Sequence, residues 1–175
     1  MRYTIALGGN VGCPEETFEQ AIQLIAKVIS PDIVRSSLYR TKPLIHPSAA
    51  VRQQAYLNTV IELESDLEPE EVLNKLFFVE RSMGRVRENE QIPWGPRTLD
   101  LDIIAVDDLV VSTEMLSLPH PEMQNRDFVL LPMAELNPDW VHPVLKQDLL
   151  SLVEALEEHW IIERVPLDQG FSVNL

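Results

Sequence analysis

Hydrophobic positions recur along the chain with two periods, and the switches between them mark its elements. "RYTIAL" at 2–7 is a short apolar run that stops at the turn-forming "GGN", as a strand would. In "PEETFEQAIQLIAKVI", Phe18, Ala21, Ile22, Ile25 and Ile29 recur at helical spacing behind a proline and acids suited to a helix first turn, which predicts an amphipathic helix over 14–29. "IVRSSLYR" reads as a second strand. "AYLNTVIELES" then alternates, with Leu57, Thr59, Ile61 and Leu63 on one face and Tyr56, Asn58, Val60 and Glu62 on the other, the period of a strand. The helical period returns in "PEEVLNKLFFVERSM", where Val72, Leu73, Leu76, Phe77 and Glu80 share roughly one side and Gly84 is placed to end the helix in a left-handed cap.

An irregular polar loop, "RVRENEQIPWGPRT", leads into a strand "LDLDIIAV", and Asp107-Asp108 makes a turn into "LVV". "LSLPHPEMQNRDFVLLPMAELNP" reads as a proline-bounded loop with a short helix, "QDLLSLVEALEE" as the last helix and "WIIERVP" as a closing strand. The prolines and length of "TKPLIHPSAAVRQQ" suit a binding or lid loop. Strand, helix, strand, strand, helix, strand is the split β-α-β order of α+β ferredoxin-like folds. The expectation is a βαββαβ sandwich, an antiparallel sheet with its helices on one face, extended by C-terminal elements from about 145.

Length changes the picture little: 175 residues suit one domain over 1–175, and no repeat or linker divides the chain. Charge changes it more. A formal net charge of -14 argues against a general nucleic-acid or anionic-membrane binder, since both need a basic surface. Arg81, Arg85, Arg87 and Arg97 nevertheless crowd one stretch, so a basic pocket inside an acidic whole is expected. With no leader pattern and no apolar run long enough for a span, the chain reads as cytoplasmic. Cys13 is the single cysteine, which removes an internal disulfide or a thiolate cluster; a small residue before a helix is its expected role.

The densest chemistry lies in "PWGPRTLDLD". On a strand, Asp100 and Asp102 point to the same face at about 6 to 7 Å, with Leu99, Leu101 and Ile103 behind them. Two hard carboxylates so placed suit Mg²⁺ that keeps water and phosphate in its shell; a bare D-x-D is more often only the wet face of a sheet. Arg97, behind Gly95 and Pro96, offers planar paired donors to phosphate beside those acids. Arg85 and Arg87 sit in a loop that could close over a transferring phosphoryl group, or pair with Glu88 and Glu90. Tyr56 and Asn58 share a strand face and would suit a flat heterocycle, though the pair is common without a ligand. His120, between two prolines and followed by Arg126 and Phe128, is either a phosphate contact or a structural loop histidine. No P-loop, dinucleotide fingerprint, nucleophile elbow or zincin motif is present.

Taken in order, "ALGGNVG", "YRTKPL", "YLNTVIELES", "VERSMGRVR", "WGPRTLDLDI" and "LPHPEMQNRDFVLLP" resemble the 6-hydroxymethyl-7,8-dihydropterin pyrophosphokinase family over about residues 3–138. The resemblance implies transfer of pyrophosphate from ATP, the co-substrate, to the pterin alcohol in folate biosynthesis. It implies a ferredoxin-like fold, two Mg²⁺ on Asp100 and Asp102, and a pterin pocket in which Asn58 reads the heterocycle edge, Tyr56 and Phe128 stack, and Thr41 and the backbone near Leu44 complete the contacts. Glu80, Arg87, Trp94, Arg97, His120 and Arg126 match positions near nucleotide or phosphate, and Arg85 a mobile-loop arginine that helps the transfer. The partners implied are small molecules, not nucleic acid or membrane, and a monomer is the expected state.

One departure is the acidic "ENEQIP" between Arg87 and Trp94: Pro93 stands where some members carry an arginine, so one phosphate contact is missing or replaced. Two rivals explain less. A ferredoxin-like binding or regulatory module does not need two aspartates and three arginines to coincide, and a two-metal phosphodiesterase or nuclease is disfavoured by the net charge.

Overall fold

The structure, a computed structural model, describes residues 1–43, 53–85 and 95–165. Leu44, Arg87 and Trp94, three of the expected site residues, lie outside them.

The element order is β1 (Arg2–Gly9), α1 (Pro14–Val28), β2 (Ile33–Arg35), β3 (Leu38–Thr41), β4 (Tyr56–Glu64), α2 (Pro69–Ser82), β5 (Asp100–Val106), β6 (Val111–Ser112), β7 (Ser117–Leu118), α3 (Asp127–Leu136), α4 (Leu149–Glu154) and β8 (Ile161–Val165). A 3-10 turn at Met123–Asn125 precedes α3. β1 is an interior strand, antiparallel to both β4 and β5. β2 and β3 both pair with β4, and β8 adds to β3, giving the path β5-β1-β4-β3-β8. β6 and β7 form a separate hairpin.

The expected second strand is two strands. The break falls at Ser36-Ser37, where side chain replaces ladder: the Ser36 Oγ accepts the Val60 N–H at 3.0 Å while the Ser36 N–H donates to the Val60 carbonyl at 2.9 Å. The Ser37 N–H leaves the sheet altogether and donates to Glu135 at 2.8 Å.

Period-two alternation divides the interior as the pattern predicts. Tyr3, Ile5 and Leu7 of β1, Leu57, Ile61 and Leu63 of β4, and Leu101 and Ile103 of β5 pack with Phe18, Ile22 and Ile25 of α1 and Val72, Leu76 and Val79 of α2. Each fully buried Leu or Ile there contributes roughly 1.5–3 kcal/mol. Gly84 follows α2 with φ +85, the left-handed cap expected of it.

The opposite sheet face is not wet, and the helices are not confined to one side. Val60, Ile104 and Ala105 pack there against Met123, Leu130, Met133, Leu149 and Leu152, so α3, α4 and the 3-10 turn form a second layer. α3 is apolar nearly all round, as "FVLLPM" would be only if covered on several sides. α4 spans Leu149–Glu154, shorter than the expected 147–158; Asp148 caps it by accepting the Ser151 N–H at 2.8 Å.

The C-terminal strand is fastened by side chains from α3. Glu135, near the end of that helix, accepts from the Ser37 N–H, the Tyr39 hydroxyl and the Arg164 Nε. Asp127, at its first residue, accepts from the N–H groups of Trp160 and Ile161 at 2.8 and 3.2 Å.

Candidate active site

Strand register builds the site. Gly8 of β1 lies between Asn58 of β4 and Asp100 of β5, and one pleat further Ala6 lies between Val60 and Asp102. Two small residues therefore make a low floor, with an amide on one side and two carboxylates on the other. A Cβ at Gly8 would sit 3.1 Å from the Asn58 Oδ1, so that glycine leaves room for the Asn58 side chain. Above the floor, Arg126, Phe128 and Val129 at the start of α3 form a wall, while Thr41, Lys42 and Tyr56 form the opposite rim. Arg97, Asp100 and Asp102 line the same cleft.

The amide side is preorganised. The Asn58 Nδ2 donates to the Thr41 Oγ1 at 2.9 Å, and both residues are buried. The Tyr56 hydroxyl donates to the Gly95 carbonyl at 2.7 Å, which ties the rim to the segment that carries Arg97.

Arg97 owes its placement to Asn10 as well as to the Gly-Pro before it. The Arg97 N–H donates to the Asn10 Oδ1 at 2.9 Å, and its carbonyl accepts from the N–H groups of Asn10 and Val11 at 2.9 and 3.1 Å. The turn after β1 and the entry to β5 are thus stitched together, and they touch closely: a Cβ at Gly9 would lie 2.6 Å from the Thr98 carbonyl oxygen. In the sequence, "GGN" marks only a turn. An asparagine directly after two glycines was the available signal that its side chain would order a neighbouring backbone.

On the carboxylate side, the Arg97 Nη1 donates to the Asp100 Oδ2 at 2.5 Å, and Arg85 donates to the Asp100 Oδ1. Arg85 does not overhang the cleft from a loop, as its position in "GRVR" suggested. It is buried, and its Nη1 also donates to the Glu80 Oε1 at 2.6 Å and to the Leu99 carbonyl at 3.3 Å. Glu80, equally buried, accepts the Leu101 N–H at 2.8 Å. α2 therefore holds the start of β5 through a charged network whose members come from three segments.

The two aspartates differ electrostatically. Burial raises the Asp100 pKa, but Arg97 and Arg85 outweigh it and hold the carboxyl below its ordinary value. Asp102 is pushed up to about 6, first by burial and then by the negative charge of Asp100, with Arg126 only partly offsetting. An excess of negative charge at Asp102 is what a cation would relieve. With hard oxygen donors and, among the described residues, two carboxylates lining the cleft, water and phosphate would have to complete the shell, which fits Mg²⁺.

His120 follows the cis Leu118-Pro119 peptide, and its N–H donates to the Ile104 carbonyl at 2.8 Å. Burial, then the charge of Arg126, lowers its pKa to about 4. The Nδ1 accepts the Glu122 N–H at 3.1 Å, so the neutral ring carries its proton on Nε2, a donor suited to phosphate. Thr41, Tyr56, Asn58, Arg97, Asp100, Asp102, Arg126 and Phe128 thus share one cleft; Glu80 and Arg85 lie beneath it; Lys42 and Asn10 are additions.

Known proteins support one assignment. Residues 4–138 match the model of the 7,8-dihydro-6-hydroxymethylpterin-pyrophosphokinase (HPPK) family. The chain is 38% identical over 154 residues to the 2-amino-4-hydroxy-6-hydroxymethyldihydropteridine pyrophosphokinase of Synechocystis sp., covering 87% of this chain and 75% of that protein. It is 36% identical over 163 residues to the enzyme of the same name from Haemophilus influenzae, covering 93% and 97%. Among solved structures, an HPPK-DHPS in complex with substrates aligns with a TM-score of 0.66 at 14% identity, over 88% of this chain and 43% of that one. The wild-type Plasmodium falciparum HPPK-DHPS aligns with 0.65 at 14%, over 87% and 44%. The chain spans under half the length of those two structures, and at such identity they speak for the fold alone. The match over 4–138 and the similarity along nearly the whole Haemophilus enzyme decide the matter: the chain belongs to the HPPK family of pterin pyrophosphokinases of folate biosynthesis.

Proposed function

We propose that the chain transfers pyrophosphate from ATP to 6-hydroxymethyl-7,8-dihydropterin in an Mg²⁺-dependent reaction that releases AMP. The observation that carries this reading is the single cleft in which the Asn58–Thr41 pair faces Asp100 and Asp102 across Gly8. One side suits the edge of a flat heterocycle, and the other suits a metal-bound polyphosphate.

In this reading Asn58 and Thr41 bind the pterin edge, with Tyr56 and Phe128 on its faces and the backbone near Leu44 completing the contacts, while Trp94 lies near the nucleotide. Arg97, Arg126, Arg87 and the Nε2–H of His120 bind phosphate oxygens. Glu80 and Arg85 act from beneath, through Asp100. Two Mg²⁺ held by Asp100 and Asp102 would neutralise phosphate charge when bound.

The pterin hydroxyl oxygen forms a bond to the β-phosphorus, the bond from that phosphorus to the α-β bridging oxygen breaks, AMP leaves and the hydroxyl proton passes to water. Holding the two substrates in one cleft supplies much of the acceleration. The strand order β5-β1-β4-β3, with β2 and β3 as halves of one strand beside β4, supports a ferredoxin-like reading of the sheet. A single domain working as a monomer in the cytoplasm completes the proposal; no described helix is long and apolar enough to cross a membrane. The test is product identity: AMP and a pterin diphosphate support the reading, whereas ADP and a pterin monophosphate would refute it.

A further inference from the structure

We infer that Asp127 is a positioning residue for the pterin side of the cleft, acting through the C-terminal segment at Trp160-Ile161; this rests on the function proposed above. Asp127 stands between Arg126 and Phe128, which line the cleft, yet its own side chain turns away. Its Oδ2 accepts the N–H groups of Trp160 and Ile161 at 2.8 and 3.2 Å, and His159 Nδ1 lies 3.7 Å from the same oxygen. The Trp160 carbonyl in turn accepts the Lys42 N–H at 2.9 Å, and Lys42 adjoins Thr41, which holds Asn58.

These bonds close a ring behind the cleft. One wall, at the start of α3, and the opposite rim, at the end of β3, are joined by a strut whose two ends are Asp127 and Lys42. The strut is built at a cost. Asp127 is 1% exposed, and its Oδ1 is buried without a hydrogen-bond partner among the described residues. An acid so placed is held by what it fastens, and charge-assisted bonds to two converging amides are the strong kind. Releasing them frees Phe128 and Arg126 to move relative to Thr41, which widens the slot for a planar ligand without touching Asp100 or Asp102. Trp160 and Ile161 therefore belong to the pocket's support as well as to the sheet edge.

The test is steady-state kinetics of Asp127→Asn with saturating ATP and Mg²⁺. The KM for the pterin alcohol should rise about tenfold, the loss of roughly one charged hydrogen bond, with kcat within about twofold. Tyr3→Phe, which removes a buried hydroxyl bonded to the Leu67 carbonyl at the far end of β1, should lower stability and leave that KM alone. An unchanged KM in Asp127→Asn, or an equal rise in Tyr3→Phe, would overturn the inference. Should Asp127→Asn not fold, the wild-type chain still decides by hydrogen exchange. Pterin alcohol should slow the Trp160 and Ile161 amides, which lie outside the cleft, because coupling is reciprocal; unaltered exchange with ligand bound would overturn it. Absence of AMP from the wild-type chain would instead sink the proposed function. Asp127 would then be judged from Asp127→Asn exchange alone, faster at 41–42 and 126–129 if the strut holds them and changed only at 160–161 if it does not.

Discussion

Arg85 and Asp100 form an ion pair in which the arginine is the buried member, 6% exposed, and the same guanidinium nitrogen bonds Glu80. One cation thus serves two carboxylates at the entry to β5. Removing it leaves both acids without their shared partner in a place where water reaches poorly. Arg85→Met should destabilise the chain by about 3 kcal/mol, read as a lower urea midpoint with an unchanged slope. A midpoint equal to wild type would show that the network is not a support.

Gly9 permits a close approach of two backbone segments beside the site, since a Cβ there would meet the Thr98 carbonyl oxygen at 2.6 Å. Backbone cannot swing away as a flexible side chain can. Gly9→Ala should cost about 1–3 kcal/mol and, by pushing 97–98 outward, displace Arg97 and reduce turnover. Gly8→Ala meets only the Asn58 side chain at 3.1 Å, so it should keep most of the stability and raise the KM for the pterin alcohol. Equal effects of the two substitutions on stability and KM would contradict the register argument.

His120 should remain neutral at physiological pH, because burial and Arg126 lower its pKa from 6.5 to about 4. Between those two values the unfolded chain binds a proton that the folded chain refuses, so this residue's contribution to stability is lost as pH falls through the window. An NMR titration should place the ring's midpoint near 4, and His120→Gln should flatten the acid side of the stability profile. A midpoint near 6.5 would contradict the assignment of the Nε2–H tautomer as a standing donor.

Asp102 works in the opposite sense. Its pKa, raised from 3.8 to about 6, means the folded chain holds a proton the unfolded chain has lost, so stability falls as pH rises through that window. In the absence of divalent cations, Asp102→Asn should therefore unfold a few degrees higher than wild type at pH 7. Mg²⁺ with ATP should weaken as pH drops through about 6, as the carboxylate takes up its proton. A lower unfolding temperature for the variant would show that the ionised acid is already satisfied by protein groups.

Much of this architecture is legible in local pattern. Alternation in "AYLNTVIELES" and "LDLDIIAV" sorts Leu57, Ile61, Leu101 and Ile103 to one side and Asn58, Asp100 and Asp102 to the other, because a strand has only two faces. What local pattern cannot hold is a bond between distant segments. Ser36 breaks its strand because its hydroxyl meets Val60 of β4. Arg85 is buried because Glu80, Leu99 and Asp100 converge on it. Asp127 reads as an ordinary acid in a helix first turn until Trp160 arrives beside it. The second helical layer was hidden for a similar reason: the apolar run in "DFVLLPMAEL" shows that something covers it, not which sheet face it covers.

The most direct measurement is nucleotide product formation with wild-type and Asp102→Asn chains, each given ATP and Mg²⁺ with and without 6-hydroxymethyl-7,8-dihydropterin. The wild-type chain should release AMP only when both Mg²⁺ and the pterin alcohol are present, in equal amount with pterin diphosphate. Asp102→Asn should release it about a hundredfold more slowly or worse, with no loss of folded structure. AMP without the pterin, no AMP from well-folded wild-type chain, or full activity in Asp102→Asn would contradict a pyrophosphoryl-transfer site built on these two aspartates.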